Sequence, residues 1–305
     1  MYRYILIVFF LLGSLQACKQ KDKKVTPKEN TLLWKVSGNG LERPSYIYGT
    51  VHIICKEDNL LSENFRSIIG RSDVIYFEVD MDDMGEMMSA LSKMKMKGDT
   101  TLAQLLNEED LTKVREYVDK ADLMLPSSEL ESYLPILTTT MLSKMMSDCD
   151  ESTGIEEEIT KVAKKYKKET LGVETLDYQL SIMDSIPYAE QAKALVALVD
   201  SMNRPNGAKI EKEKMKEFYK LYREQDLEAL NKMILEMDPS FGASFADLLL
   251  YNRNRNWVVK LKDLMKNKSL ILAVGAGHLP GEKGVLNLLR KEGYEVTPVE
   301  NKIGE

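Results

Sequence analysis

The 305-residue sequence predicts an α/β fold with a mostly parallel central sheet, and three features carry that expectation. Short apolar runs alternate with stretches of helical periodicity near both ends of the chain. The only two histidines each close a Gly-x-x-His phrase, Gly49-Thr50-Val51-His52 and Gly275-Ala276-Gly277-His278, and each phrase follows a strand-like run. Almost everything between about residues 83 and 266 is helical in period. Loops at the C-terminal strand ends of open α/β sheets share one crevice. Two strand-end histidines therefore suggest one site.

Residues 1–17 have the pattern of an export signal: Arg3 as the positive end, apolar residues 4–12, and a small residue, Ala17, before Cys18. Nine apolar residues are too few to span a bilayer. Leu15-Gln16-Ala17-Cys18 resembles a bacterial lipobox, which makes Cys18 the expected lipidation site and residues 18–31, with five lysines, a flexible tether. Lys19 after the cysteine leans toward the outer rather than the inner membrane of a cell envelope. Cleavage would remove only Arg3 among the charges, leaving 41 basic against 48 acidic residues, a net −7 that argues against nucleic acid as a partner. Cys55 and Cys149 then remain, and in an exported chain they are expected to form a disulfide.

The first half of the sheet follows from residues 32–36 as an opening strand, the turn Gly38-Asn39-Gly40, residues 45–51 as a second strand into the first Gly-x-x-His, residues 60–69 as a helix, and residues 74–79 as a buried strand. The second half repeats this grammar: strand 269–274, the second Gly-x-x-His, helix 281–291 and strand 293–299. In the insertion between them, Met-rich stripes such as 84–96 and 141–146 read as core packing. Residues 170–174 interrupt the helices as a further sheet strand that ends in a carboxylate. The single domain would span 32–300, with 301–305 a tail.

If these strands are parallel neighbours, His52, Glu78, Glu174 and His278 meet at one cleft. Two imidazoles with one or two carboxylates suit a divalent metal, which would acidify a bound water. Metal-free acid–base chemistry by His and Glu is the alternative. No Gly-x-Ser-x-Gly elbow, P-loop or dinucleotide fingerprint is present.

Tyr48-Gly49-Thr50-Val51-His52, Phe77-Glu78-Val79-Asp80, Leu171-Gly172-Val173-Glu174-Thr175, Arg253-Asn254, Trp257, and the run from Ala273 through Gly277-His278-Leu279-Pro280-Gly281 to Gly284-Val285-Leu286 together resemble the TraB/GumN family. That family is similar to the Tiki metalloproteases and, more distantly, to erythromycin esterases and a haem-binding lipoprotein group. The resemblance implies a parallel-sheet core with a helical insertion and, in the Tiki branch, a divalent-metal peptidase. The implied metal ligands are His52, Glu78 and His278; Mn, Co and Zn all suit them. Glu174 would be a further ligand or a base, with Glu78 also counted as catalytic. Arg253 and Asn254 would hold a substrate carboxylate or carbonyl, with Tyr178 as a further substrate-binding candidate. Glu156 stands where an Asp is common in relatives and is left outside the site. The expected function is a lipid-anchored, metal-dependent hydrolase of the cell envelope, a peptidase using a metal-activated water, with a peptide or small molecule as substrate. The alternative is a non-catalytic protein that sequesters a peptide, haem or small ligand.

Overall fold

The computed structural model describes residues 30–303 except 57–60, 122, 124, 144–145, 148, 150 and 238–245. The signal, the lipidation site Cys18 and nearly all of the tether lie outside the described residues.

Eight strands are present among the described residues: β1 Leu33–Ser37, β2 Ser45–Thr50, β3 Ile54–Cys55, β4 Val74–Phe77, β5 Ser152–Thr153, β6 Glu169–Gly172, β7 Leu270–Gly275 and β8 Glu295–Pro298. Six form one sheet in the order β6-β4-β7-β2-β1-β8. β6, β4, β7 and β2 run parallel, while β1 is antiparallel to both β2 and β8. The residues of β2 and β4 are all buried, as are those of β7 up to Val274, the pattern of strands covered on both faces. The fold is thus α/β and mostly parallel, with its first strand reversed.

The two expected halves exist but are interlocked. β2 connects through the helix Glu63–Arg71 to β4, and β7, from the far end of the chain, lies between them. β7 connects through the helix Val285–Lys291 to β8, passing over β2 and β1. The two crossovers leave neighbouring strands in opposite directions along the sheet, so right-handed connections carry their helices to opposite faces. Consistent with this, Glu63–Arg71 packs beside the helix Ile155–Lys165, and Val285–Lys291 packs beside Asn252–Asn267. The crevice this opens lies between the ends of β2 and β7, where Thr50 pairs with Gly275.

Local chemistry fixes the helix starts. Ser62 caps Glu63–Arg71 by accepting from the Phe65 N–H, and Thr175 caps Leu176–Asp184 by accepting from the Tyr178 N–H. Ile155–Lys165 has Glu156, Glu157 and Glu158 in its first turn and Lys164 and Lys165 in its last, complementing the helix dipole.

The strand at 170–174 is shifted: β6 ends at Gly172, and parallel pairing continues only as Val173 N–H to Phe77 O (2.8 Å) and Glu174 N–H to Glu78 O (3.0 Å). The methionine stripes depart from the core reading. Met96 and Met146 are buried, whereas Met84 and Met88 are 68% and 65% exposed on the helix Met84–Ala90, because the helix Leu176–Asp184 covers only its other side. The insertion has a core of its own, built on Leu111, Val114, Leu142 and Leu195. No helix among the described residues is long and apolar enough to cross a membrane.

β3 and β5 form a separate two-stranded ladder, with Ile54 opposite Thr153. Cys55 and Cys149 are joined by a disulfide, so the loop leaving β2 is bonded to the segment that leads into Ile155–Lys165. A native disulfide of this kind should stabilise the fold by about 2–4 kcal/mol. A Cys55→Ser/Cys149→Ser variant is therefore expected to unfold at lower denaturant, and a chain lacking residues 1–18 should show no reactive thiol when denatured without reductant. Two titratable thiols in that assay would contradict the bond.

Candidate active site

Glu78 sits one residue past β4, and three elements hold its carboxylate. Oε1 accepts from the Gly275 N–H at 2.9 Å and faces His278 Nε2 at 3.6 Å. Oε2 accepts from Arg253 Nη2 and from Gln179 Nε2 at 3.2 Å. Glycine at 275 gives the carboxylate room, since a Cβ there would stand 3.2 Å from Glu78 Oε1. Burial alone would raise the Glu78 carboxyl, but the cationic groups around it and the Gly275 N–H hold it well below the usual range. His278 and then Arg253 contribute most to that lowering.

Arg253 enters from the helix Asn252–Asn267, directly after a π-helical turn at Asp247–Tyr251. Its Nη1 donates to Leu249 O at 2.9 Å, which anchors the side chain against that turn. Nε donates to Glu174 Oε1 at 2.8 Å, and Nη2 reaches the same oxygen at 2.6 Å. Trp257 donates to Glu174 Oε2 at 2.7 Å, and its ring lies 4.8 Å below the guanidinium carbon. Burial raises the Glu174 carboxyl despite these partners. Its two oxygens are committed to Arg253 and Trp257, and Arg253 is committed to Glu78, Glu174 and Leu249. In this arrangement every nitrogen of Arg253 is engaged, which leaves it no free donor for a substrate carboxylate, whereas Glu174 Oε2 accepts only from Trp257.

The two histidines stand in contrasting surroundings. His278 is 4% exposed and packs its ring against Trp257 at 4.5 Å. Burial, with the nearby Arg253 charge, pushes its pKa down to about 3 against the pull of Glu78. His52 has a side chain 68% exposed, and its Nδ1 pairs with Glu156 Oε1 at 2.8 Å. That hydrogen bond, opposed by desolvation, lifts its pKa to about 9. Thr50 also donates to Glu156 Oε1, at 2.6 Å. Gly154 permits this approach: a Cβ there would meet His52 O at 3.0 Å.

Glu156, left outside the site on sequence, is thus the direct partner of His52. Gln179 was also missed. It follows Tyr178 on the helix capped by Thr175, and its only sequence signal is its distance from Glu174, which a helical turn converts into a reach toward Glu78. Tyr178 lies elsewhere: its hydroxyl accepts from Asn256 at 2.9 Å, and it lines a separate cavity of 400 Å³ with Glu174, Asn256 and Lys260. Asn254, expected to contact substrate, is fully buried, with its amide engaged by His278 and Lys283.

His52 and Glu78 line one cavity of 640 Å³, walled by Phe77, Val79 and Met81 on one side and by Glu156, Thr160 and Lys164 on the helix Ile155–Lys165 on the other. Lys164 pairs with Asp82 at 3.0 Å across these two walls. Among the described residues, no three His, Cys, Asp or Glu side chains are close enough together to hold a metal ion. Glu78 and His278 supply two adjacent donors of suitable chemistry, a carboxylate and a neutral imidazole. His52 stands off because Glu156 holds it.

The sequence model of the TraB/PrgY/gumN family matches residues 32–298, which takes in every residue described at this site. The chain belongs to the TraB/PrgY/gumN family. Among relatives of this TraB/PrgY/gumN chain, Metalloprotease TIKI1 of Xenopus tropicalis is 23% identical over 94% of the chain and 65% of that protein. Metalloprotease TIKI2 of Danio rerio is 23% identical over 98% and 68%, and Metalloprotease TIKI1 of Homo sapiens is 22% identical over 88% and 61%. The chain therefore spans roughly two thirds of the length of these relatives. No solved structure matches it.

The two histidines should titrate with opposite consequences. His52, raised above its unfolded value, stabilises the fold fully below pH about 6.5 and loses that contribution as pH rises through about 9. His278, depressed in the fold, is protonated first in the unfolded chain, so it lowers stability as pH falls from about 6.5 toward about 3. NMR titration of the two imidazoles should show one ring titrating near pH 9 and the other unchanged down to pH about 4. A pair of rings both titrating near 6.5 would contradict these environments.

Proposed function

We propose that this chain is a metal-dependent hydrolase of the cell envelope that cleaves peptide bonds. The observation supporting this best is Glu78: a buried, ionised carboxylate facing a neutral imidazole, at the wall of a cavity large enough for several residues of a peptide. Similarity to proteins named metalloproteases supports the same reading. Glu78 and His278 would hold a divalent ion, and His52 would join them on giving up its proton. The Glu156 contact on Nδ1 leaves Nε2 of His52 as the ligating atom, the carboxylate–histidine arrangement common around bound metals. When bound, such an ion polarises a carbonyl and makes a water acidic enough to attack near neutral pH. Arg253 keeps Glu78 ionised for this task, and Gln179 and the Gly275 N–H fix its two oxygens.

A binding role is favoured by one observation: Arg253 already neutralises the carboxylates from within. Elemental analysis of the purified domain separates the two readings. A stoichiometric divalent ion, lost with either histidine, supports hydrolysis; haem absorbance or a metal-free protein with ligand affinity supports sequestration. For the hydrolase, His52→Ala, His278→Ala and Glu78→Gln are each expected to lower peptide cleavage by about 10³-fold or more. The double histidine variant should be hardly worse than either single one, because residues acting as a unit are non-additive. Circular dichroism controls for folding. A wild-type protein of proven activity that keeps its rate after both histidines are removed would end this reading.

We further propose that Cys18 carries a lipid holding the domain at a membrane, with the outer membrane favoured. The lipobox-like Leu15-Gln16-Ala17-Cys18 supports this, and the Cys55–Cys149 disulfide is the kind of bond that persists outside the cytosol. Replacing Cys18 by Ser should move the protein from the membrane fraction to the soluble one. Continued sedimentation with membranes after a high-salt wash would count against the lipid.

A further inference from the structure

Asn254 has no exposed surface, and each polar atom of its amide has a partner. Nδ2 donates to His278 O at 3.2 Å and to Lys283 O at 3.0 Å, and Oδ1 lies 2.6 Å from His278 Nδ1. Only one orientation of the amide works. Reversed, it would set an oxygen against two carbonyl oxygens and leave two buried acceptors without donors, at a cost of about 1–3 kcal/mol each. With Nδ2 fixed on the carbonyls, Oδ1 can only accept, so the proton of the neutral imidazole must sit on Nδ1. The lone pair then falls on Nε2, which accepts from Arg253 Nη1 at 3.3 Å and faces Glu78 Oε1 at 3.6 Å.

Without that acceptor an Nδ1–H would be a buried donor with no partner, whereas an Nε2–H would turn toward the Glu78 carboxylate at 3.6 Å and give up only the Arg253 contact. We infer that Asn254 is a positioning residue that imposes the Nδ1–H tautomer on His278 and so makes Nε2 the working nitrogen. It does this from the helix Asn252–Asn267, one residue after Arg253, so a single helical turn sets both the charge beside Glu78 and the proton position on His278. The inference deepens the metal-hydrolase reading and rests on it only for the use made of Nε2. The tautomer is measurable with no metal or substrate present.

The chain has only two histidines, which makes the experiment direct. Long-range ¹H–¹⁵N correlation at pH 7 on the ¹⁵N-labelled, metal-free domain, assigned with a His52→Gln variant, should show a protonated, pyrrole-type Nδ1 and a bare, pyridine-type Nε2 for His278. In Asn254→Ala the pattern should shift toward Nε2–H. Affinity for added Zn²⁺ should fall about 10- to 100-fold in that variant, the usual effect of losing such a partner. A wild-type His278 carrying its proton on Nε2 would overturn the inference even if the Ala variant fails to fold. So would a folded Ala variant with an unchanged tautomer. If the wild-type protein has the Nδ1–H tautomer but takes up no Zn²⁺, the metal reading falls and the positioning role stands.

Discussion

The site depends on one buried charge, the Arg253 guanidinium held between Glu78 and Glu174. Removing a cation from water costs several kcal/mol, and that cost is offset here only because carboxylates on two sides, a backbone carbonyl and an indole face share the charge. Each partner comes from a different element: Glu78 follows β4, Glu174 follows β6, Leu249 belongs to the π-helical turn, and Trp257 lies one helical turn beyond Arg253. Removing Arg253 would leave two buried carboxylates facing each other, a loss of about 3–5 kcal/mol for such networks. The same guanidinium sustains the ionisation of Glu78 and restrains the burial-driven rise of Glu174. The fork thus joins the sheet to the helical insertion and sets the electrostatics of the cleft together.

Around that fork the interlocked sheet gives the twin Gly-x-x-His phrases different fates. β2 and β7 are parallel neighbours, so both phrases leave at one edge, but their following helices pass to opposite faces. His278 turns under the helix that carries Arg253, Asn254 and Trp257 and is sealed from water. His52 turns toward the first turn of Ile155–Lys165, meets an anionic partner and stays open to solvent. Identical local grammar therefore yields a neutral, lone-pair-bearing imidazole on one side of the crevice and a cationic one on the other. The difference comes from the partners the insertion supplies.

The sheet core and the strand-end placement of His52, Glu78 and His278 were legible because period-2 and buried apolar runs with glycine exits are local signals. The interleaving of β7 between β2 and β4 was not, because strand order is decided by packing between chain ends more than 190 residues apart. β3 and β5 have two residues each, too short for any periodicity. Glu156 stands in the sequence only as a departure from a common Asp and falls outside the expected site, because its role arises from the β3–β5 ladder and the Cys55–Cys149 bond, which bring a helix start against His52. Tyr178 and Gln179 show the limit at single-residue scale: adjacent on one helix, they point to different cavities, and the helical phase set by the Thr175 cap makes Gln179 the one that reaches Glu78.

An internal cation beside Glu78 resembles a substitute for a metal, but the carboxylate's two oxygens are used separately. Oε2 is committed to Arg253 and Gln179, whereas Oε1 has one neutral donor, the Gly275 N–H, and otherwise faces Nε2 of His278. A carboxylate oxygen can accept from an N–H and still present a lone pair. Arg253 therefore secures the ionised state of Glu78 through one oxygen while leaving the other turned toward the imidazole. The guanidinium and a cation held on the His278 side do not require the same carboxylate oxygen, but both address the single Nε2 lone pair of His278, so the Arg253 Nη1 contact at 3.3 Å would give way when such a cation binds.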